Sequence, residues 1–199
     1  MADDWDAGLV VIFGPPAVGK MTVAQAVAAR SSFRVFHNHA VLEPLLDVFD
    51  YATESFQRLL RQVRLDVITE AARVAVPLVF TYAWALELAD DRVELERYIA
   101  PYADRGLPIR FVELSADLET RLARNRSAHR LAEKKSKRDL VWSEGNVRDL
   151  DVHQLNSHDG LGAAERLLTG FPHVLLETAD LTADQVASRV IDWLVTHCR

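Results

Sequence analysis

The sequence contains a single cysteine, Cys198, among its 199 residues, so no disulfide framework can form within the chain. Disulfides are typical of oxidising compartments, and their absence favours a cytoplasmic protein. No apolar run approaches the ~20 residues needed to span a bilayer. The opening residues, MADDWDAG, are acidic, whereas a secretory signal peptide begins with a basic and then an apolar stretch. We therefore expect a cytoplasmic protein with no membrane partner.

Basic residues are outnumbered: 23 lysines and arginines face 29 acids, for a net charge of -6. A charge of this sign makes general binding to nucleic acid unlikely. The balance is uneven, however, because residues 121–138 hold eight of the 23 basic residues and one of the 29 acids. So concentrated a basic segment in an acidic protein indicates an anionic ligand. The alternative is a basic helix that simply faces solvent.

Short apolar runs alternate with helical patterns along the chain. This alternation predicts a three-layer α/β/α fold, in which a five-stranded parallel sheet is covered by helices on both faces. Residues 1–199 are expected to form one domain. The predicted strands are 9–13, 33–36, 77–82, 108–114 and 173–177.

Some of the predicted helices carry further local signals. In the long helix near 54–74, four apolar residues recur on one face and predict its buried side. These residues are Leu60, Val63, Val67 and Ala71. Asp117 is placed to cap the helix after the fourth strand, and Thr182 with Gln185 forms a capping-box pattern at the start of the last helix.

Residues 14–20, GPPAVGK, have the spacing of a phosphate-binding loop: Gly14, four residues, then Gly19 and Lys20. Such a loop turns backbone N–H groups inward around an anion, in conformations that a side chain obstructs. The lysine adds positive charge toward the β- and γ-phosphates, and the following helix directs its N-terminus at them. The hydroxyl residue that usually follows the lysine is replaced by Met21, and Thr22 comes one place later.

With this loop between a buried strand and a helix, the sequence resembles the P-loop kinases of nucleotides and small molecules. In the adenylate kinase branch the loop reads Gly-Lys-Gly-Thr, and GKMT is similar, with Met21 as a spacer before Thr22. The shikimate and gluconate kinases share the same core fold. The resemblance implies ATP and Mg²⁺ as cofactors, with Thr22 meeting the metal. It also implies nucleotide binding by Gly14, Pro15, Pro16, Ala17, Val18, Gly19, Lys20, Met21 and Thr22.

In these kinases the fourth strand is followed by a helix and a mobile lid whose arginines contact the adenine or the transferring phosphoryl group. The basic segment here resembles that region, and we place the lid at approximately 125–140. Arg124 and Arg126 are expected to bind the nucleotide. Arg124 and Arg130, together with Lys20, are expected to be catalytic, because a closing arginine-rich flap stabilises charge on the transferring group.

The second strand of these kinases usually ends in an acid that positions the acceptor hydroxyl or magnesium. His37, Asn38 and His39 stand there instead. Either histidine is a candidate general base, with His39 preferred, and Asn38 is a candidate for orienting the acceptor. Arg58 lies close to the place where shikimate kinases hold a carboxylate with a Phe-Arg pair; a salt bridge along its helix is the alternative. Thr81 ends the third strand at the crevice where ligands sit in such sheets.

We predict an ATP-dependent phosphotransferase that moves the γ-phosphoryl group to a small hydroxylated or phosphorylated acceptor. A nucleoside monophosphate kinase is the alternative favoured by the GKMT loop. The missing acid after the second strand favours instead a slow or non-catalytic nucleotide-binding sensor. A 5′-hydroxyl kinase acting on nucleic acid is a further alternative, favoured by the basic segment. The expected partner is a small-molecule acceptor, and the expected state is a monomer or weak homodimer. The acceptor's identity and the choice between ATP and GTP stay open.

Overall fold

A computed structural model describes residues 7–51, 53–126 and 140–197. Within these ranges the chain alternates between strands and helices. The strands are β1 (Leu9–Phe13), β2 (Arg34–His37), β3 (Leu78–Thr81), β4 (Ile109–Ser115) and β5 (His173–Glu177). The α-helices are α1 (Lys20–Ala28), α2 (His39–Leu46), α3 (Glu54–Arg73), α4 (Ala89–Ala103), α5 (Leu118–Asn125), α6 (Leu140–Asp149), α7 (Glu165–Gly170) and α8 (Ala183–Thr196).

The five strands form one parallel sheet in the order β2-β3-β1-β4-β5. Central β1 pairs with β3 on one side and β4 on the other, so that Leu9 lies in register with both Leu78 and Ile109. Parallel strands bring their carboxyl ends to one edge, and ligands bind there in open sheets of this kind. The predicted five-stranded parallel sheet is confirmed, with β2 and β4 each displaced by one residue and β3 one residue shorter at each end than predicted.

Helices cover both faces of the sheet, as the alternation of apolar residues in β1 requires. Leu9, Val11 and Phe13 face a core that includes residues of α3, α4 and α7. Val10 and Ile12 face a second core, built with α1 and α8. All five residues of β1 are buried, which explains why its sequence is a continuous apolar run.

The buried side of α3 differs from the predicted one. Its buried residues recur at every fourth position: Phe56, Leu60, Arg64, Ile68 and Ala72. Val63 and Val67, predicted to be buried, are 37% and 39% exposed. Arg64 lies in the middle of the buried stripe because it has hydrogen-bonding and ionic partners there. Because one residue of the buried stripe is charged, the hydrophobic pattern did not identify which face of the helix is buried.

Local capping predictions agree with the structure. Asp117 Oδ1 accepts a hydrogen bond from the Thr120 backbone N–H at 2.7 Å, and Thr182 forms a complete capping box with Gln185. Helix α2 was not predicted by any pattern above. In the described ranges, no helix has the combination of length and apolarity required to cross a membrane.

Candidate active site

The predicted phosphate loop joins β1 to α1 and has an unusual backbone. Gly14, Ala17 and Gly19 have φ angles of 134°, 66° and 108°, in a region that side chains rarely adopt. A succession of such residues among ordinary ones makes backbone N–H groups converge into a concave anion site. The loop therefore has the backbone shape that a phosphate group requires.

Lys20, the first residue of α1, extends back across this loop. Its Nζ donates hydrogen bonds to the carbonyl oxygens of Gly14, at 2.6 Å, and Pro15, at 2.8 Å. A cation held against the loop adds positive charge where the α1 N-terminus already favours an anion. Hydrogen bonds from this ammonium to phosphate oxygens would be stronger than those to neutral carbonyls.

The two glycines of the loop give a matched test of its geometry. A Cβ on Gly14 would lie 2.2 Å from the backbone oxygen of Leu114, whereas a Cβ on Gly19 would meet nothing within 4 Å. Gly19→Ala should therefore cost only backbone strain, roughly 1–3 kcal/mol. Gly14→Ala should cost that strain plus about 1–3 kcal/mol of overpacking. Urea unfolding measures both, and equal losses would contradict the close packing of the loop on β4.

A cavity of about 330 Å³ opens at the loop and at the carboxyl ends of β2 and β3. It brings together most of the residues predicted from the sequence. The predicted site residues that line it are Pro16, Ala17, Val18, Gly19, Lys20, Met21, Thr22, His37, Asn38, His39, Thr81 and Arg124. Gly14 and Pro15 are buried at the start of the loop and do not line this cavity.

Three further predicted site residues, all arginines, are not among the described residues that line the cavity. Arg58 is exposed on α3 and is absent from the lining. Arg126 is 59% exposed and donates to Glu144 Oε2 at 3.0 Å. Arg130, like most of the predicted lid at 125–140, lies outside the described residues. Binding or catalytic roles for these arginines stay predictions.

Arg124 is the lid-side arginine that the structure does bring to the cavity. Its guanidinium donates to the Val18 carbonyl at 3.0 Å, to Thr178 Oγ1 at 3.0 Å and to the Ala179 carbonyl at 3.3 Å. Burial lowers the pKa of Arg124, which nevertheless stays protonated at neutral pH. This residue joins α5 to the phosphate loop and to the segment after β5. Arg124 lines the cavity, and so do the apolar side chains of Leu181 and Val186.

α6 forms a further wall. Residues 142–146, WSEGN, have the sequence of a polar turn, but they form part of this helix. The sequence did not reveal a role for them. Ser143 Oγ donates to Asn125 Oδ1 at 3.0 Å in a buried contact between α5 and α6. Asn146, the last residue of this stretch, lines the cavity. The two helices that flank the predicted lid are thus held together next to the phosphate loop.

The end of β2 is fixed against β3. His37 lies in register with Thr81, and Thr81 Oγ1 accepts a hydrogen bond from the Asn38 backbone N–H at 3.1 Å. Thr81 is only 3% exposed. Its hydroxyl therefore positions the histidine-asparagine-histidine segment at the cavity.

His39 and Glu43 form a histidine–carboxylate pair on consecutive turns of α2. His39 Nδ1 lies 3.2 Å from Glu43 Oε1, and the side chains are 18% and 23% exposed. A carboxylate at Nδ1 orients the ring and favours the tautomer that carries its proton on Nδ1. The sequence analysis did not identify this pair, because the i,i+4 spacing of the two residues is informative only within a helix and α2 was not predicted.

Arg64 is a further residue that sequence reasoning missed at this site, as it missed Glu43 and Asn146. It is buried on α3, its Nη2 donates to Asn38 Oδ1, and its Nη1 lies 3.8 Å from Glu94 Oε1. Its guanidinium carbon lies 6.0 Å from the centroid of the Tyr82 ring. Because a guanidinium only donates, the oxygen of Asn38 must face Arg64 and the amide nitrogen must face away from it. Arg64 thereby orients a side chain of the cavity without lining the cavity itself.

Arg64→Met should show how much this buried contact contributes. Removing one member of a buried ion pair leaves Glu94 and Asn38 Oδ1 with fewer partners, so we expect a loss of about 3–5 kcal/mol in unfolding free energy. Arg61→Met is the matched control, because Arg61 also pairs with Glu94, at 3.1 Å, but is 59% exposed. The control should lose at most about 1 kcal/mol. Equal losses of unfolding free energy in the two variants would show that the buried Arg64 contacts stabilise the protein no more than the exposed Arg61–Glu94 pair does.

Outside the cavity, Glu113 of β4 is a fully buried acid with several partners. It accepts hydrogen bonds from the Ser157 N–H at 2.6 Å and Asn156 Nδ2 at 2.9 Å, and lies 2.8 Å from His173 Nε2. Burial acts to raise the pKa of Glu113, but the hydrogen bonds of His173, Ser157 and Asn156 outweigh it and hold this pKa below its ordinary value. Glu113 thus links β4 to β5 and to the segment after α6.

This lowered pKa predicts a pH dependence of stability. The stabilisation is present above the unfolded-state pKa of about 4.3, and it is lost as the pH falls through the lower folded-state pKa. Glu113→Gln should be destabilised by about 1–3 kcal/mol at pH 7, and its difference from the wild type should shrink below about pH 4. Urea unfolding as a function of pH measures this difference. A constant difference across that range would contradict an ionised Glu113 in the folded protein.

Among the described residues, no cluster of three or more histidine, cysteine, aspartate or glutamate side chains is placed to hold a metal ion. The Thr22 hydroxyl lies at the cavity wall, where it and the nucleotide phosphates could serve as magnesium ligands. Mg²⁺ is commonly bound in that way in phosphoryl-transfer sites.

No protein-family model matches the chain, and no curated protein sequence matches it. Solved structures do match over nearly the whole chain. The shikimate kinase of Acinetobacter baumannii, in complex with shikimate, is 18% identical, with 96% of this chain and 94% of that chain covered and a TM-score of 0.57. The APS kinase of Mycobacterium tuberculosis, in complex with AMPPNP and APS, is 16% identical, with 96% and 98% covered and a TM-score of 0.52.

The tunicamycin resistance protein of Deinococcus radiodurans is 20% identical, with 94% of this chain and 96% of that chain covered and a TM-score of 0.54. At such identities these likenesses show the fold and leave the reaction open. The expected resemblance is confirmed at that level: the chain has the fold of the P-loop kinases.

Proposed function

We propose that the protein is an ATP-dependent phosphotransferase that moves the γ-phosphoryl group to a small hydroxylated or phosphorylated acceptor. One observation carries the proposal: a single cavity is lined by the phosphate loop with Lys20 and also by Asn38 and by His39, which pairs with Glu43. A phosphate-binding side and a proton-accepting side within one cavity are what transfer to a hydroxyl requires. The shikimate and APS kinases that share the fold provide independent support.

The nucleotide side fits a magnesium-bound nucleoside triphosphate. The left-handed residues of the loop and the Lys20 ammonium suit the phosphates, Thr22 suits the metal, and Arg124 with its apolar neighbours suits the base. When bound, ATP with Mg²⁺ supplies the transferable phosphoryl group and neutralises part of its charge. The positive charge of Lys20 stabilises the negative charge on the phosphoryl oxygens, and Thr22 contributes a hydroxyl ligand.

On the acceptor side, His39 is the general base and Glu43 orients it. As the acceptor oxygen bonds to the γ-phosphorus, the bond from that phosphorus to the bridging oxygen breaks and ADP leaves. The hydroxyl proton passes to His39 Nε2, and Glu43 stabilises the resulting imidazolium. The products are ADP and the phosphorylated acceptor, and the proton then returns to solvent.

The sensor alternative is also supported by one observation. The structure ends β2 at His37 and starts α2 at His39, so no carboxylate stands directly at the strand end where related kinases carry one. A sensor would bind ATP in the same loop, but its rate of ADP release would not rise when an acceptor is added.

ADP release measured with a panel of acceptors separates the two functions. Sugars, hydroxy acids, nucleosides and monophosphates are each added to the protein with Mg²⁺ and ATP, and ADP is followed by a coupled assay. An enzyme should release ADP faster with at least one acceptor class. Equal, slow release across the panel would favour the sensor and count against the proposed function.

A further inference from the structure

We propose that Arg64 is a positioning residue that makes Asn38 a hydrogen-bond donor to the acceptor, so that the site selects acceptors with a carbonyl oxygen besides the reacting hydroxyl. This inference rests on the proposed function and narrows its substrate class. Arg64 is 5% exposed and is not among the described residues that line the cavity, whereas Asn38 does line it. Arg64 therefore acts on a bound molecule through Asn38.

The Arg64 guanidinium is held by contacts on several sides. Its Nη1 lies 3.8 Å from Glu94 Oε1, and its carbon lies 6.0 Å from the centroid of the Tyr82 ring. Glu94 is itself held in place, because the Tyr98 hydroxyl donates to Glu94 Oε1 at 2.6 Å. Nη2 donates to Asn38 Oδ1. A rigid, planar guanidinium fixed in this way presents donors to Asn38 in one orientation.

Stability alone does not explain the contact between Arg64 and Asn38. In the part of the chain that the structure describes, the buried Nε of Arg64 has no hydrogen-bonding partner, and such a donor is destabilising. Asn38 occupies the N-cap of α2, where an asparagine oxygen usually accepts from a backbone N–H of the first turn. Within the described chain its side chain makes no such bond, and its oxygen accepts from Arg64 instead. A role at the cavity accounts for both departures.

The contact determines which hydrogen-bonding groups Asn38 presents to a ligand. A guanidinium has donors only, so the Asn38 oxygen must face Arg64 and the two amide N–H bonds must face away from it. An aspartate at this position would present an accepting oxygen on that side. Asn38 therefore offers the opposite of what the acid expected after β2 would offer.

Thr81 adds a second donor next to Asn38. Its Oγ1 accepts a hydrogen bond from the Asn38 backbone N–H at 3.1 Å, and the hydroxyl can still donate its own proton. Both residues line the cavity. A carbonyl oxygen has two lone pairs and can accept from both residues, whereas a hydroxyl group in its place would also need an acceptor for its own proton. These two side chains therefore favour a carbonyl over a hydroxyl.

The order of the strands places Asn38 on the acceptor side. Asn38 directly follows β2, and β3 separates β2 from β1. Because neighbouring strands lie about 4.8 Å apart, the end of β2 is roughly 10 Å across the sheet from the end of β1, where the phosphate loop starts. The Asn38 amide is thus placed to meet the acceptor rather than the phosphates in the loop.

Equilibrium binding of two matched pairs of probes tests the selection without turnover. Hydroxyacetone is compared with 1,2-propanediol, and 4-hydroxy-2-butanone with 1,3-butanediol. Each is titrated into the full chain with Mg²⁺ and AMPPNP, and the Thr81 methyl signal is followed by NMR. Because a neutral hydrogen bond separates the members, the ketone of at least one pair should bind about three- to tenfold more tightly than its diol. Equal or tighter binding of both diols, or no binding of any probe, would overturn the inference.

Variants test whether the Arg64–Asn38 contact produces the preference for the ketone. Asn38→Asp replaces the donors with an accepting oxygen and should abolish or reverse the preference, and Arg64→Met should abolish it. Arg64→Lys should restore it, because an ammonium also only donates. Arg61→Met is the control and should keep the wild-type preference, since Arg61 pairs with the same Glu94 but is 59% exposed.

Melting curves establish which of these variants fold. A preference that persists in folded Asn38→Asp, or that is absent from folded Arg64→Lys, would overturn the positioning role of Arg64. These two substitutions decide the matter even where Arg64→Met does not fold.

ADP release distinguishes failure of this inference from failure of the proposed function. Preferential binding of a ketone, in a panel where no acceptor accelerates ADP release, would leave the selection by Asn38 standing and remove the kinase function. Faster ADP release with diols but not with ketones would support the kinase function and overturn the selection.

Discussion

Lys20→Ala should abolish the thermal stabilisation that ATP gives the protein and lower acceptor-dependent ADP release by about 10²–10³-fold. The Lys20 ammonium lies on the loop carbonyls of Gly14 and Pro15, where it supplies the positive side-chain charge of the loop. A ligand present at 100 times its dissociation constant stabilises a protein by about 2.7 kcal/mol. For a chain of this size, that corresponds to a rise of roughly 5–10 °C in melting temperature.

The control for this variant is Arg73→Ala, which removes a positive charge at the exposed end of α3, where Arg73 pairs with Glu70. It should retain both the ATP-dependent shift and the rate. Melting curves without ATP establish whether Lys20→Ala still folds. An intact ATP shift in folded Lys20→Ala would contradict the assignment of residues 14–20 as the nucleotide loop.

His39→Ala should lower kcat by about 10²–10⁴-fold while leaving ATP-dependent stabilisation unchanged, because a general base acts on the acceptor and not on nucleotide binding. Glu43→Gln should have a smaller effect, since it removes the charge that orients and stabilises the ring but leaves the imidazole in place. Steady-state rates with a saturating acceptor measure both variants.

His158→Ala is the matched control for loss of an imidazole, because His158 is half-exposed next to Asp159 and outside the main cavity. It should behave as the wild type. A His39→Ala protein with an unchanged kcat would contradict the role of His39 as the base and direct attention to His37 at the end of β2.

The architecture of the protein could be predicted from its sequence because β1 to β5 are short apolar runs separated by amphipathic segments. Burial on both faces makes β1 apolar throughout, and the turn chemistry of Asp117 and Thr182 marks two helix starts correctly. The phase of α3 could not be predicted in this way. Arg64 is buried by specific contacts with Asn38 and Glu94, and such pairing is invisible to a pattern based on hydrophobicity.

The candidate site was predictable where backbone conformation determines residue type. Gly14 and Gly19 occupy positions with positive φ, which favour glycine, so the spacing of the two glycines identified the loop in the sequence. Side chains that reach the site through tertiary contacts were harder to predict. Asn146 lines the cavity from a helix whose sequence resembles a turn. Arg58, which was placed in the site by resemblance, faces solvent. The position of a side chain around a helix depends on packing that the local sequence does not specify.

Phosphorus NMR of the reaction mixture tests the central claim most directly, because it identifies where the γ-phosphoryl group of ATP goes. With Mg²⁺, ATP and the acceptor panel, the wild-type protein should produce a new phosphate-ester signal as the ATP signals decline and those of ADP grow. Lys20→Ala should produce none on the same timescale. Release of inorganic phosphate alone, or unchanged ATP with every acceptor, would contradict phosphoryl transfer at this cavity.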